Sequence, residues 1–171
     1  MHDNSMPTSP PPGSAALAAG IPAGFHPMQL HSGFMAVNGP LYLLHQGEDV
    51  RVGFRVEARH TNPMGNCHGG MLATFCDMLL PISVHRLSAE VGERFLPTIN
   101  LQMDYLAPAP LGAWVEGRAQ VLRVTRKMVF AQALVHADGT PAVRVSGIFK
   151  LGPTFGGPAS AAPAAGPNKA D

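Results

Sequence analysis

Charge is scarce in this chain. Only 13% of its 171 residues are Asp, Glu, Lys or Arg, while 46% are hydrophobic. That balance points to a surface partly covered by another subunit. Neither sign dominates: 12 Lys and Arg stand against 11 Asp and Glu, a net charge of +1. With no long basic run to neutralise a row of phosphates, nucleic acid is not expected as a partner. Cysteine is nearly absent. Cys67 and Cys76 are the only two, and a bridge between them would strain the helix expected around the second, so a reducing, cytoplasmic setting is expected. Long apolar runs are missing too. Gly, Pro or a charge interrupts every stretch before the ~18 to 20 residues a bilayer crossing needs. The opening MHDNSMPTSPPPG carries no Lys or Arg ahead of a hydrophobic run, so neither a secretion signal nor a membrane span is expected. The sequence has no G-x-S-x-G, no GxGxxG and no P-loop, which disfavours a serine hydrolase and the common nucleotide folds. Its eight His and two Cys show no ligand spacing, so no metal and no cofactor are expected.

Proline, alanine, glycine and serine are plentiful, and they gather at the ends. Residues 1–24 and 152–171 have compositions that bury too little apolar surface to offset ordering. They are expected to be disordered tails around one domain over residues 25–151. Within it, Pro27–Asn38 has a loosely helical rhythm closed by Gly39-Pro40. Strands are expected at Leu41–His45 and at Val50–Arg59, where Val52, Phe54, Val56 and Ala58 alternate with polar residues. Another is expected where Ile99, Leu101, Met103 and Tyr105 alternate with Thr98, Asn100, Gln102 and Asp104. Ala113–Thr125, Met128–Ala137 and Ala142–Leu151 read as a meander, its second turn at Asp138-Gly139. Between the strands, Gly69–Leu87 forms a long helix that is apolar nearly all round and therefore expected to be buried. The fold class is α+β, five to six antiparallel strands around one helix.

Asp77 stands in the middle of that helix, the single acidic residue between Glu57 and Glu90. An ionised carboxylate among apolar neighbours is costly unless it is paired, which marks it for chemistry or for a structural hydrogen bond. Upstream, His60 to Gly70 is polar and glycine-rich and leads straight into the helix. Free N–H groups at a helix start, with the positive end of the dipole behind them, favour an oxygen that becomes negative in acyl transfer. Glycines such as Gly69 and Gly70 let a substrate approach closely.

Asn62, Gly65, His68-Gly69-Gly70 and Asp77 at this spacing resemble the signature of hotdog thioesterases of the phenylacetic-acid-degradation type. The likeness continues through Pro97–Ala109 and Leu111-Gly112 and covers roughly residues 25–151. It implies a hotdog fold, an acyl-CoA substrate, and a homodimer or dimer of dimers. It also implies Asp77 as nucleophile or general base, the Gly69 N–H as oxyanion donor, Asn62 as the group orienting carbonyl or water, and Thr98 as the hydroxyl orienting the attacking water. His68 faces either the thioester or its own loop. Arg123, Arg126 and Lys127 cluster at a turn, and Arg126 and Lys127 are candidates for the phosphates of coenzyme A. Eight helical residues place Asp77 ~12 Å along the axis from Gly69, beyond the reach of one carbonyl, so each site should combine two subunits. A hydratase or dehydratase acting on the acyl chain, and an acyl-CoA-binding module without turnover, remain as competing readings.

Overall fold

The computed structural model describes residues 20–30 and 33–155. Strands β1 (His26–Pro27), β2 (Tyr42–Gln46) and β3 (Asp49–Arg55) precede the long helix, with a short helix α1 (Gly33–Asn38) between β1 and β2. Helix α2 (Gly69–Leu87) follows, then β4 (Thr98–Tyr105), β5 (Trp114–Val124), β6 (Met128–Ala137) and β7 (Thr140–Lys150). The seven strands form one antiparallel sheet in the order β1-β2-β3-β5-β6-β7-β4, so β4 is an edge strand. The α+β arrangement around one long helix is as the sequence implies, with the two-residue β1 as an addition.

The expected Val50–Arg59 strand stops at Arg55. Its continuation is a 3-10 turn over Ala58–His60, where the Glu57 N–H donates to Nδ1 of the buried His60. That local bond offers the backbone an alternative to the ladder. The packed region also reaches beyond residues 25–151: Ile21 is buried with Phe25, Leu44 and Trp114, and Gly152–Phe155 is fastened to the loop before β4. Residues 1–19 and 156–171 of the expected tails lie outside the described ones.

Helix α2 packs on the sheet through Met71, Leu72, Phe75, Cys76, Leu79, Leu80, Ser83 and Val84, a stripe of adjacent pairs repeating every four residues. Two glycines of the sheet make room for it. A Cβ on Gly117 would lie 2.4 Å from the Leu79 side chain, and one on Gly147 would lie 2.7 Å from that of Leu80. The opposite stripe, including Ala73, Asp77, Met78, Pro81 and Ile82, is only half-buried. The expectation of an all-round buried helix is therefore corrected within one chain: the sheet covers a single face. Pro81 does not end the helix, which runs on to Leu87.

Candidate active site

Strand β4 fastens both halves of the helix. At one end the Thr98 hydroxyl donates to Asp77 Oδ1 at 2.6 Å, and at the other the Tyr105 hydroxyl donates to the Gly69 carbonyl at 2.9 Å. Strict alternation would send Thr98 away from the face carrying Leu101, Met103 and Tyr105. A β-bulge between Thr98 and Asn100 shifts the phase instead. An extra residue there turns Thr98 toward the helix and leaves Ile99 55% exposed.

Asp77 is half-buried rather than enclosed. Thr98 is its hydrogen-bond partner among the described residues, so one carboxylate oxygen is held while the other is open. The two residues border a cavity of about 400 Å³ walled mainly by apolar side chains.

The helix N-terminus is built differently. The His68 ring caps it, with Nδ1 accepting from the Gly70 N–H at 2.9 Å, while the His68 carbonyl accepts from Met71 and Leu72. His68 thus bonds its own loop, and the Gly70 N–H is already committed. Among the described residues, the Gly69 N–H is the one amide of this first turn without a partner. A free donor at the positive end of a 19-residue helix suits an oxygen gaining negative charge. The Tyr105 ring lies about 3.5 Å from where a Gly69 Cβ would stand, so ring and hydroxyl together fix the glycine. Burial, helped by the nearby Cys76, keeps the Tyr105 hydroxyl above its ordinary pKa, and it remains a donor at neutral pH. Tyr105 was legible in the sequence only as an apolar-face residue.

Asn62 closes the preceding loop. Its Oδ1 accepts from the N–H groups of Met64 at 3.0 Å and Asn66 at 3.3 Å, and its own N–H donates to the Asn66 carbonyl. Among the described residues its side-chain NH₂ has no hydrogen-bond partner. Gly65 in this loop has a φ of 74°, a conformation that disfavours side chains. Cys67 and Cys76 are both buried, and burial pushes each thiol up to about 12. Neither is a thiolate nucleophile at neutral pH.

Arg126 and Lys127 are exposed at the β5–β6 turn. The Lys127 carbonyl accepts from Leu151, and the neighbouring Lys150 N–H donates to Pro97, so this turn sits at the same end of the sheet as Thr98. The structure therefore brings Asp77, Thr98, Arg126 and Lys127 to one end, and Asn62, His68, Gly69 and Gly70 to the other. Among the described residues no helix is long and apolar enough to cross a membrane, and no group of three or more His, Cys, Asp or Glu is gathered as for a metal.

The sequence pattern of the thioesterase superfamily matches residues 64–143, a span that holds His68, Gly69, Asp77 and Thr98. A Pseudomonas aeruginosa protein, provisionally named an esterase, is 29% identical over 132 residues, covering 77% of this chain and 97% of that protein. Acyl-coenzyme A thioesterase 13 of Mus musculus is 32% identical over 79 residues, 45% of this chain and 53% of its own length. The chain thus matches about half the length of that second relative. Among solved structures, a point mutant of the phenylacetic acid degradation protein PaaI from Thermus thermophilus is 27% identical. It aligns with a TM-score of 0.57 over 68% of this chain and 96% of its own. The chain has the hotdog fold, is similar in sequence to the thioesterase superfamily and to its PaaI-like members, and is a thioester hydrolase.

Proposed function

We propose that the protein hydrolyses acyl-coenzyme A thioesters to the free acid and coenzyme A, with no cofactor beyond the coenzyme its substrate carries. The observation that carries this reading is the Asp77–Thr98 pair at the mouth of an apolar cavity. As general base, the Asp77 carboxylate takes a proton from a water whose oxygen attacks the thioester carbonyl. As nucleophile, it attacks that carbon itself and the resulting anhydride is hydrolysed. On either route the C–S bond breaks, and the coenzyme leaves as thiolate and is protonated. The Gly69 N–H stabilises the oxyanion, and Asn62 orients the carbonyl or the water.

These groups act across a subunit boundary. Gly69 and Asp77 lie ~12 Å apart along one helix, whereas reacting groups meet at about 3 to 3.5 Å. The free edge of β4 and the half-buried stripe of α2 are the surfaces a second copy would cover. Antiparallel pairing of two β4 edges about a twofold axis sets the Thr98 end of one strand beside the Tyr105 end of the other. The Asp77 half of one subunit then faces the Gly69 half of its partner, giving two identical sites. Arg126 and Lys127, at the Thr98 end, are placed to meet phosphates of the coenzyme.

The decisive experiment measures thiol release from a panel of acyl-CoA thioesters by wild type and Asp77→Asn. The substitution keeps size and the bond from Thr98 but removes the charge. A loss of at least about 100-fold in kcat is expected across the panel; equal rates would discard the assignment.

A further inference from the structure

The cavity beside Asp77 has a shape that bears on the acyl group. Asp77, Met78, Pro81, Ile82 and His85 all line it, and their spacing is that of one continuous stripe along α2. The stripe is closed opposite by Phe95 and Phe155. Phe155 lies in the segment that follows β7, which pairs antiparallel with the loop before β4. The Phe95 N–H donates to the Pro153 carbonyl, the Phe155 N–H to the Glu93 carbonyl and the Gly152 N–H to the Phe95 carbonyl, each at 2.8 Å. This small ladder carries the two rings into an edge-to-face contact at 5.8 Å. At the far end, His85 Nε2 donates to the Arg94 carbonyl at 2.8 Å, with its ring 6.1 Å from that of Phe155.

We infer that this trough is the acyl subsite, that its occupant is an extended, unbranched medium-chain acyl group, and that Phe155 is the residue that limits its length. The inference rests on the placement of the reacting carbonyl at Asp77 and Thr98 proposed above. Three observations select the occupant. Asp77 and Thr98, the residues placed at that carbonyl, are part of the trough's lining. No Lys or Arg lines it, so it suits an alkyl chain and not the phosphate-bearing half of the substrate. Its length follows from the helix: Asp77 to His85 is eight residues, ~12 Å. Carbon–carbon bonds of about 1.5 Å, zigzagged, fill that length with roughly eight to ten carbons. A longer chain meets the His85 ring, held by its own hydrogen bond, and the Phe155 ring beside it.

The test is a profile of kcat/KM against acyl length, from acetyl-CoA to palmitoyl-CoA, for the full chain. Wild type should peak near eight to ten carbons. Ile82 lies five residues from Asp77, about 7.5 Å along the trough, so Ile82→Phe should block it midway and move the peak to roughly four to six carbons. Phe155→Ala should lower the ratio of octanoyl to acetyl turnover about tenfold and flatten the fall beyond ten carbons. Phe155→Trp, which keeps an aromatic wall if the alanine variant folds poorly, should move the peak to shorter chains. An unchanged profile in Ile82→Phe and both Phe155 variants, with Asp77→Asn inactive, overturns the subsite and leaves the catalytic reading standing. Wild-type rates in Asp77→Asn remove the carbonyl's placement, and the subsite with it.

Discussion

Thr98→Val separates catalysis from folding at one atom. The substitution removes the hydroxyl that donates to Asp77 Oδ1 at 2.6 Å and replaces it with a methyl group on a residue type that favours strands. A hydrogen bond to a charged acceptor is worth about 1.5 to 3 kcal/mol. Thr98 is exposed in the single chain, so water can replace part of what is lost and the lower end of that range applies. Since each ~1.4 kcal/mol is tenfold in rate, kcat for an acyl-CoA substrate should fall about tenfold. The same exposure keeps the stability change within about 0.5 kcal/mol, which urea unfolding followed by circular dichroism would measure. Thr98→Ser restores the hydroxyl and should recover most of the rate. If Thr98→Val hydrolyses within twofold of wild type, Thr98 is an ordinary strand residue and the bulge that turns it inward has no catalytic purpose.

A mixture of Asp77→Asn with Asn62→Ala, allowed to exchange subunits, should recover about a quarter of wild-type activity, because half of the dimers are mixed and each of those has one intact site; no recovery despite proven exchange would mean each site lies within one chain. Tyr105→Phe removes the bond to the Gly69 carbonyl and should cost about 1 kcal/mol of transition-state stabilisation, a roughly fivefold loss in kcat measured by thiol release, with little change in Tm. Gly117→Ala would set a Cβ 2.4 Å from the Leu79 side chain; overpacking of this kind costs about 1 to 3 kcal/mol, to be read from chemical denaturation. Burial raises the Cys76 thiol from 9.0 to about 12, so the unfolded chain loses that proton first as the solution turns alkaline. The stability this thiol contributes is complete below pH 9 and is lost as pH rises toward 12, and Cys76→Ala should soften the decline by about 1 kcal/mol at pH 10.

The parts of the fold set by periodicity were legible in the residues. The long helix runs Gly69–Leu87 as its apolar run implies, and β6 spans Met128–Ala137 as read. What periodicity does not carry is the phase of an edge strand. In β4 the alternation of Ile99, Leu101, Met103 and Tyr105 holds only as far back as Leu101, because the extra residue of a bulge resets the faces and no residue type announces it. Thr98 therefore belongs to the helix side although its neighbours in sequence place it on the polar side. Tyr105 shows the complementary failure: its face was readable, but the bond from its hydroxyl to Gly69 joins residues 36 positions apart and exists only once strand and helix have packed.

The helix itself exposes a deeper reason. Composition could say that α2 is apolar on every side, but not which side its own sheet would cover. The covered stripe meets Gly117 and Gly147, glycines that admit Leu79 and Leu80, and so is decided by residues far along the chain. The stripe left over carries Asp77 in line with Met78, Pro81 and Ile82. An apolar stripe that its own chain leaves half-open is the kind of surface a ligand or a second copy covers, and in the proposed mechanism it holds the catalytic carboxylate, while the amide proposed to face that carboxylate lies two helical turns away on the same helix. Covering the stripe and completing the site are then one event. A variant that blocks dimerisation through the β4 edge without touching Asp77, such as Ile99→Lys on its exposed position, should therefore abolish thiol release while keeping the monomer's circular dichroism; full activity in a monomer verified by sedimentation would refute that coupling.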